Sequence, residues 1–185
     1  MRVNRTMIAA AAIAVLAASG AWAGDGGGAG GVTFGRQYLD LDHGWYTADV
    51  PEISVGGFGY GVNRHGERIG GFGLAFCSAD PAVEFEGGVG GLINGQQLSF
   101  GPLTAAAVAW TGVGCLHTDV PGAAGSWLTL FLEADVEVGW AVTPWLQVCG
   151  YGGVQVMAGL APESPADGML FYTPVVGVRI AWGSF

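Results

Sequence analysis

The sequence predicts an all-β chain: an antiparallel up-and-down β-barrel of about eight strands behind an N-terminal signal peptide. Three observations predict it. Residues 128–142 alternate almost without interruption. Leu128, Leu130, Leu132, Ala134, Val136, Val138, Trp140 and Val142 share one phase, and Thr129, Glu133, Asp135, Glu137 and Gly139 the other. Side chains of a strand point to opposite faces with period two. Turn-type residues divide the chain beyond residue 31 into eight strand-length pieces, and no segment after residue 23 carries a sustained helical stripe. The alternation of residues 128–142 also outruns the usual strand of about five to six residues and the roughly nine to eleven that cross a bilayer. The carboxylate-bearing face cannot sit in hydrocarbon, so the wall is read as apolar outside and polar inside.

The first 23 residues read as a secretory signal peptide. Arg2 and Arg5 give a positive start, Met7 to Ala18 is an apolar run, and Ala21-Trp22-Ala23 fits the small-x-small cleavage rule. The run is too short for a transmembrane helix. Residues 24–31 (GDGGGAGG) read as a flexible, disordered leader. Residues 32–185 read as a single barrel domain. The formal charge of −9 becomes −11 without Arg2 and Arg5, and Lys is absent. An acidic surface argues against nucleic acid as a partner. Cys77, Cys115 and Cys149 are odd in number and match no zinc spacing, so they read as small packing residues.

In order, the first strand is expected over 32–41 and a loop over 43–51. A hairpin follows, its arms 53–62 and 68–77 both carrying Gly-Gly-Phe-Gly around Asn63-Arg64-His65-Gly66-Glu67. So many glycines in strands imply close approach or a tight interior. Residues 78–81 read as a short turn. Val83, Phe85, Val89 and Ile93 then alternate with acids. Asn94-Gly95 is a hairpin-type turn signal, and Gly101-Pro102 a second break, so 94–102 is expected to be a long connection or a small extra hairpin. Residues 103–116 read as a strand, although the Ala-rich piece 104–108 taken alone also suits a helix. After a polar loop at 117–126 comes the long alternating strand. A tight turn at Thr143-Pro144-Trp145 leads into a strand opening at Leu146, and PESPADG (162–168) is a loop. The last strand holds Leu170, Tyr172, Val176, Val178, Ile180 and Trp182 opposite Thr173, Gly177 and Arg179. Pro174 suits a bulge or an unpaired position.

With the last strand running toward the periplasm, the turn at 143–144 is periplasmic and short, and the loops at 43–51, 117–126 and 161–168 are external and longer, as in bacterial barrels. The lengths of 78–81 and 94–102 run against that rule. Trp140, Trp145 and Trp182 fall near the periplasmic end and Trp127 near the external end, where interface aromatics are expected. Glu133, Asp135, Glu137 and Arg179 are expected to form a lumenal charge network, with Arg179 as counter-ion and Gly153 leaving room for its side chain to cross.

The signal peptide, the strand-turn-strand around Thr143-Pro144-Trp145-Leu146 and a C-terminal strand ending in Phe185 resemble small outer-membrane β-barrel proteins of the OmpA/OmpX type. The alternation leads to Ser184, not Phe185, and a bulge at Gly183 would bring Phe185 into phase. It implies a bacterial outer-membrane location, outer-membrane lipid as surroundings, and use of the C-terminal strand by the barrel-assembly machinery. The role expected is non-enzymatic, structural or surface-interacting, and the protein is expected to be a monomer. The alternative is an exported soluble β-sandwich or β-barrel binding a small apolar ligand or a protein partner.

No catalytic pattern emerges: no Ser lies in G-x-S-x-G, and the three histidines fall in expected loops. Asp40-Leu41-Asp42-His43 reads as a solvated strand end rather than a metal site. No cofactor or metal is expected, and the lumen of an eight-stranded barrel is ordinarily filled by side chains.

Overall fold

The computed structural model describes residues 27–42, 47–78, 85–118, 125–159 and 170–185. The signal peptide lies outside these residues, as do the segments 43–46, 79–84, 119–124 and 160–169. So do the side chains of the Asp40–His43 cluster.

Eight strands close into one antiparallel barrel in sequence order. They are β1 (Gly28–Asp42), β2 (Thr47–Val62), β3 (Glu67–Ser78), β4 (Phe85–Phe100), β5 (Leu103–Thr118), β6 (Gly125–Thr143), β7 (Leu146–Gly159) and β8 (Leu170–Ser184). The register from Gln37 through Val175, Gly153, Asp135, Val108, Gly95, Arg68 and Val62 returns to Gly27, ten residues lower on β1. That stagger tilts the strands by about 35–45° to the barrel axis. Both ends of the described chain and the turns β2–β3, β4–β5 and β6–β7 lie at one rim, here the terminal rim. The other connections lie at the loop rim.

Several sequence expectations are corrected. The supposed disordered leader is strand from Gly28 onward, because Gly28 to Gly31 are paired on both sides, with β2 and with β8. A Cβ on Gly31 would come within 2.8 Å of the Ala181 Cα, so glycine lets the closing strands approach. Residues 47–51 belong to β2, not to a loop. Residues 94–102 are neither a long connection nor an extra hairpin. The Asn94-Gly95 signal is overridden by a ladder that pairs β4 with β5 all the way to Phe100–Leu103. The turn is Gly101-Pro102, where Gly101 takes φ +63°, a conformation that favours glycine. The β3–β4 connection spans 79–84, so the two loop lengths that ran against the rule fall into line with it. The stretch 104–108 is strand. No bulge occurs at Gly183, whose pairing with Ala29 continues the ladder, and Phe185 follows the end of β8.

Pro174 has a visible effect. β8 pairs with β7 from Leu170 downward, but its ladder with β1 stops at Val175–Gln37. Proline has no N–H to donate.

The outward rows are apolar, with Val136, Trp140, Leu92 and Val176 each 62% exposed. The lumen is not polar throughout, as the sequence predicted. Toward the loop rim it is a packed apolar cluster that includes Phe58, Phe72, Leu74, Phe76, Val89, Trp110, Leu116, Phe131 and Met157. Phe72 meets the Trp110 ring edge-on at 5.0 Å and the Phe131 ring at 5.6 Å. The strands therefore bury aromatic side chains inside and display a mainly aliphatic wall outside, with Trp140, Trp182, Phe100, Phe34 and Tyr172 among the outward aromatics.

All three cysteines are free, Cys115 exposed on the outer face and Cys149 buried in the lumen. β4 separates Cys77 from Cys115, and two strand spacings of about 4.8 Å exceed the roughly 7 Å reach of a disulfide between Cα atoms. A maleimide should label Cys115 in the native protein, and Cys149 only after unfolding. Mass spectrometry of the non-reduced protein should show no Cys77–Cys115 bridge.

Candidate functional site: the lumenal charge network

Glu133, Asp135 and Glu137 project inward from alternate positions of β6, and all three are buried. Side chains at alternate positions of one strand stand about 6.6–7 Å apart at the backbone. Three buried carboxylates so close repel one another and lose their hydration, so they require cationic partners. Arg179 on β8 reaches across β7 to supply one. Its Nη2 donates to Glu133 Oε1 at 2.9 Å and to Asp135 Oδ2 at 2.8 Å, and its Nη1 donates to Glu137 Oε1. The structure thus brings all four predicted residues together.

The Arg179 guanidinium is held on its faces as well as its edges. Its central carbon lies 3.7 Å from the Tyr151 ring centroid and 4.2 Å from that of Trp110. Stacking of a desolvated cation on aromatic faces contributes about 2 kcal/mol or more. Trp110 also belongs to the apolar cluster, so one ring forms the boundary between ionic and apolar zones.

A second arginine, Arg68 on β3, was not foreseen. Its Nη1 donates to Glu137 Oε2, and its Nε donates to Gln97 Oε1 on β4 at 2.9 Å. Its guanidinium carbon lies 4.4 Å over the Tyr60 ring. Glu137 therefore joins two arginines, and the network spans β3, β4, β6 and β8. The signal for Arg68 was present: it shares the phase of Phe72, Leu74 and Phe76, the inward row of β3. Nearer the terminal rim the lumen continues polar, with Gln147 Nε2 donating to Thr104 Oγ1 at 2.9 Å and Cys149 Sγ donating to Gln147 Oε1.

Two details differ from expectation. Gly153 does not clear a path for Arg179. A Cβ there would stand 2.7 Å from the Asp135 Cα and Cβ, so the glycine makes room for the acid on the neighbouring strand. Trp127 is not at the outer surface. It has the parity of Thr129, Phe131 and Glu133 and lies in the lumen, 4% exposed. Trp140, Trp145 and Trp182 do face outward, gathered at the terminal rim with Phe100.

The arrangement offers charge and rigidity rather than reactive chemistry. Every carboxylate of the network accepts a hydrogen bond from a guanidinium. Among the described residues no group of His, Cys, Asp and Glu is arranged to hold a metal ion.

Arg179→Ala should cost about 3–5 kcal/mol, since it strands buried charge. Adding Asp135→Asn or Glu133→Gln should recover more of the loss than adding Glu137→Gln, because Glu137 keeps Arg68. Urea unfolding of the singles and doubles measures this; recoveries equal at all three positions would count against the division of partners.

Neither a scan against protein-family models nor a search of curated proteins finds a match. Solved structures do match. Neisserial surface protein A superposes with a TM-score of 0.61 at 10% identity, covering 86% of this chain and 98% of its own. Ail, the attachment invasion locus protein of Yersinia pestis, gives 0.48 at 5% identity, over 85% of this chain and 98% of its own. The likeness to the neisserial protein is one of fold, and that fold is the small eight-stranded barrel of the OmpA/OmpX type that the sequence resembles.

Proposed function

We propose that this chain is a non-enzymatic barrel of the bacterial outer membrane with a structural or surface-interaction role. The observation that carries the proposal is the outer wall. A barrel that buries a full lumenal core and still displays Leu, Val, Ile and Trp outward has an exterior suited to lipid rather than water. The placement of charge supports it. Among the strand side chains that the structure describes, the exposed charged ones are Arg36, Glu67 and Glu86. Glu67 opens β3 beside the terminal rim and Glu86 is the second residue of β4 at the loop rim. Arg36 stands one residue before the end of the β1–β8 ladder, near enough to the loop rim for a long side chain to snorkel out of hydrocarbon. Trp140, Trp145 and Trp182 then form the aromatic girdle at the periplasmic interface. Outer-membrane lipid surrounds the wall, and β8 is the strand the assembly machinery engages. The external connections, led by residues 160–169, are where partners meet the protein.

The soluble alternative, in the form that binds a small apolar ligand, needs a space inside. The interior toward the loop rim is instead filled by the Phe72–Trp110–Phe131 cluster.

Cell fractionation and an unboiled gel test the proposal. The protein should sediment with outer membranes and change mobility on heating. Release with the soluble periplasmic contents would overturn it. The wall also predicts a depth dependence. Val136→Arg, near mid-wall, should cost about 2–4 kcal/mol in folding into lipid, and Val142→Arg, at the rim, about 0–1 kcal/mol.

A further inference from the structure

The Asn94-Gly95 pair, a turn signal in the sequence, lies in the middle of the β4 ladder. Gly95 has a local reason: a Cβ there would stand 2.7 Å from the Ala107 carbonyl oxygen. Nothing inside the barrel accounts for Asn94. It is exposed, on the outward row Leu92, Asn94, Gln96, Leu98 and Phe100. Leu92 and Leu98 are 62% and 56% exposed and flank the two carboxamides. Gln96 donates to the His65 carbonyl oxygen at the β2–β3 turn. The Asn94 side chain makes no hydrogen bond with any described residue.

On an outer wall facing lipid, that amide has no water to satisfy it, which is costly. Asn carries two donors and an acceptor in one planar group. Two such groups related by a two-fold axis satisfy each other, as an isologous contact requires. In place of the monomer expected from the sequence, we propose that the outward face of β4 is an interface with a second copy of this chain. Asn94 of each copy hydrogen-bonds Asn94 of the other across the two-fold axis. The proposal rests on the membrane reading above.

The shape of the face suits that occupant. Beside Asn94 and Gln96 the β5 flank is low, formed by Ala109 and Ala107, while Ile69 stands next to Asn94 on β3 and gives way to Gly71 and Gly73 toward the loop rim. Small residues let backbones of membrane segments approach closely. Strands tilted by about 35–45° on two facing barrels cross at about twice that angle. The two β4 rows therefore meet over a short length, and one residue position marks the crossing. Asn94 is the self-complementary residue of that row left without a partner, so the crossing is placed there.

The test uses the full barrel refolded into phosphatidylcholine vesicles, with Cys77→Ser and Cys115→Ser to remove native surface thiols. Asn94→Cys should oxidise to a covalent dimer, whereas Val178→Cys, exposed on β8 on the opposite side of the barrel, should not. Energy transfer between donor- and acceptor-labelled copies should exceed random mixing. Asn94→Leu should raise the protein-to-lipid ratio needed for half-association about tenfold. Heat-shifted gel mobility reports that each variant is folded. A folded, inserted barrel whose transfer matches random mixing, or whose Asn94→Leu variant associates like the native protein, overturns the interface and leaves the membrane reading standing. A native protein that never enters the vesicles overturns both.

Discussion

The cross-section of this barrel depends on the guanidinium of Arg179. Hydrogen bonds between strands run around the wall and say little about what happens across it. Arg179 acts across it, tying β8 to three carboxylates on β6 while Tyr151 and Trp110 grip its faces. Arg68 extends the tie to β3 through Glu137. A buried ion pair adds little net stability over a well-packed apolar substitute. It adds a penalty for error. A one-residue slip of β6 would turn three carboxylates outward and leave two guanidiniums enclosed without carboxylate partners. The network therefore works against misregistered barrels more than for the native one.

The rest of the lumen solves a volume problem. Eight strands enclose a narrow space, and this chain puts rings into it. Glycines on the inward rows provide the compensating room. A Cβ on Gly112 would stand 3.1 Å from the Phe72 Cζ, and one on Gly177 would stand 2.5 Å from the Tyr151 ring. The glycine that looks excessive in the sequence is the complement of the aromatic side chains packed beside it.

What was legible in the sequence follows from this division. The alternation of β6 was plain because its two faces differ in polarity, and the phase of β8 then pointed to Arg179. The faces of β3 and β5 do not differ in that way. Phe72 and Phe76 point in where Gly71 and Gly73 point out, so periodicity of hydrophobicity carries little information there. The polar inner face of β6 does not extend around the lumen, which is aromatic toward the loop rim. Nearness to a strand end suggests an interface position for Trp127, but its parity puts it inside. Arg68 was hidden by its position at the edge of an expected turn. The leader and Asn94-Gly95 were misread for one reason. Local preference for disorder or turn is weaker than pairing with a strand on each side, and those partners are far away in sequence.

The stop that Pro174 places on the β1–β8 ladder has a consequence for how the ring is closed. That seam has ten pairs against sixteen between β4 and β5. It also joins the two ends of the domain, Gly28 to Ser184. Every other seam links strands that follow one another and meets a small loop-closure cost, whereas this one must gather the whole chain. The shortest zipper thus bears the largest entropic load. It is therefore the seam expected to form last, from a sheet of hairpins already in register, and to part first.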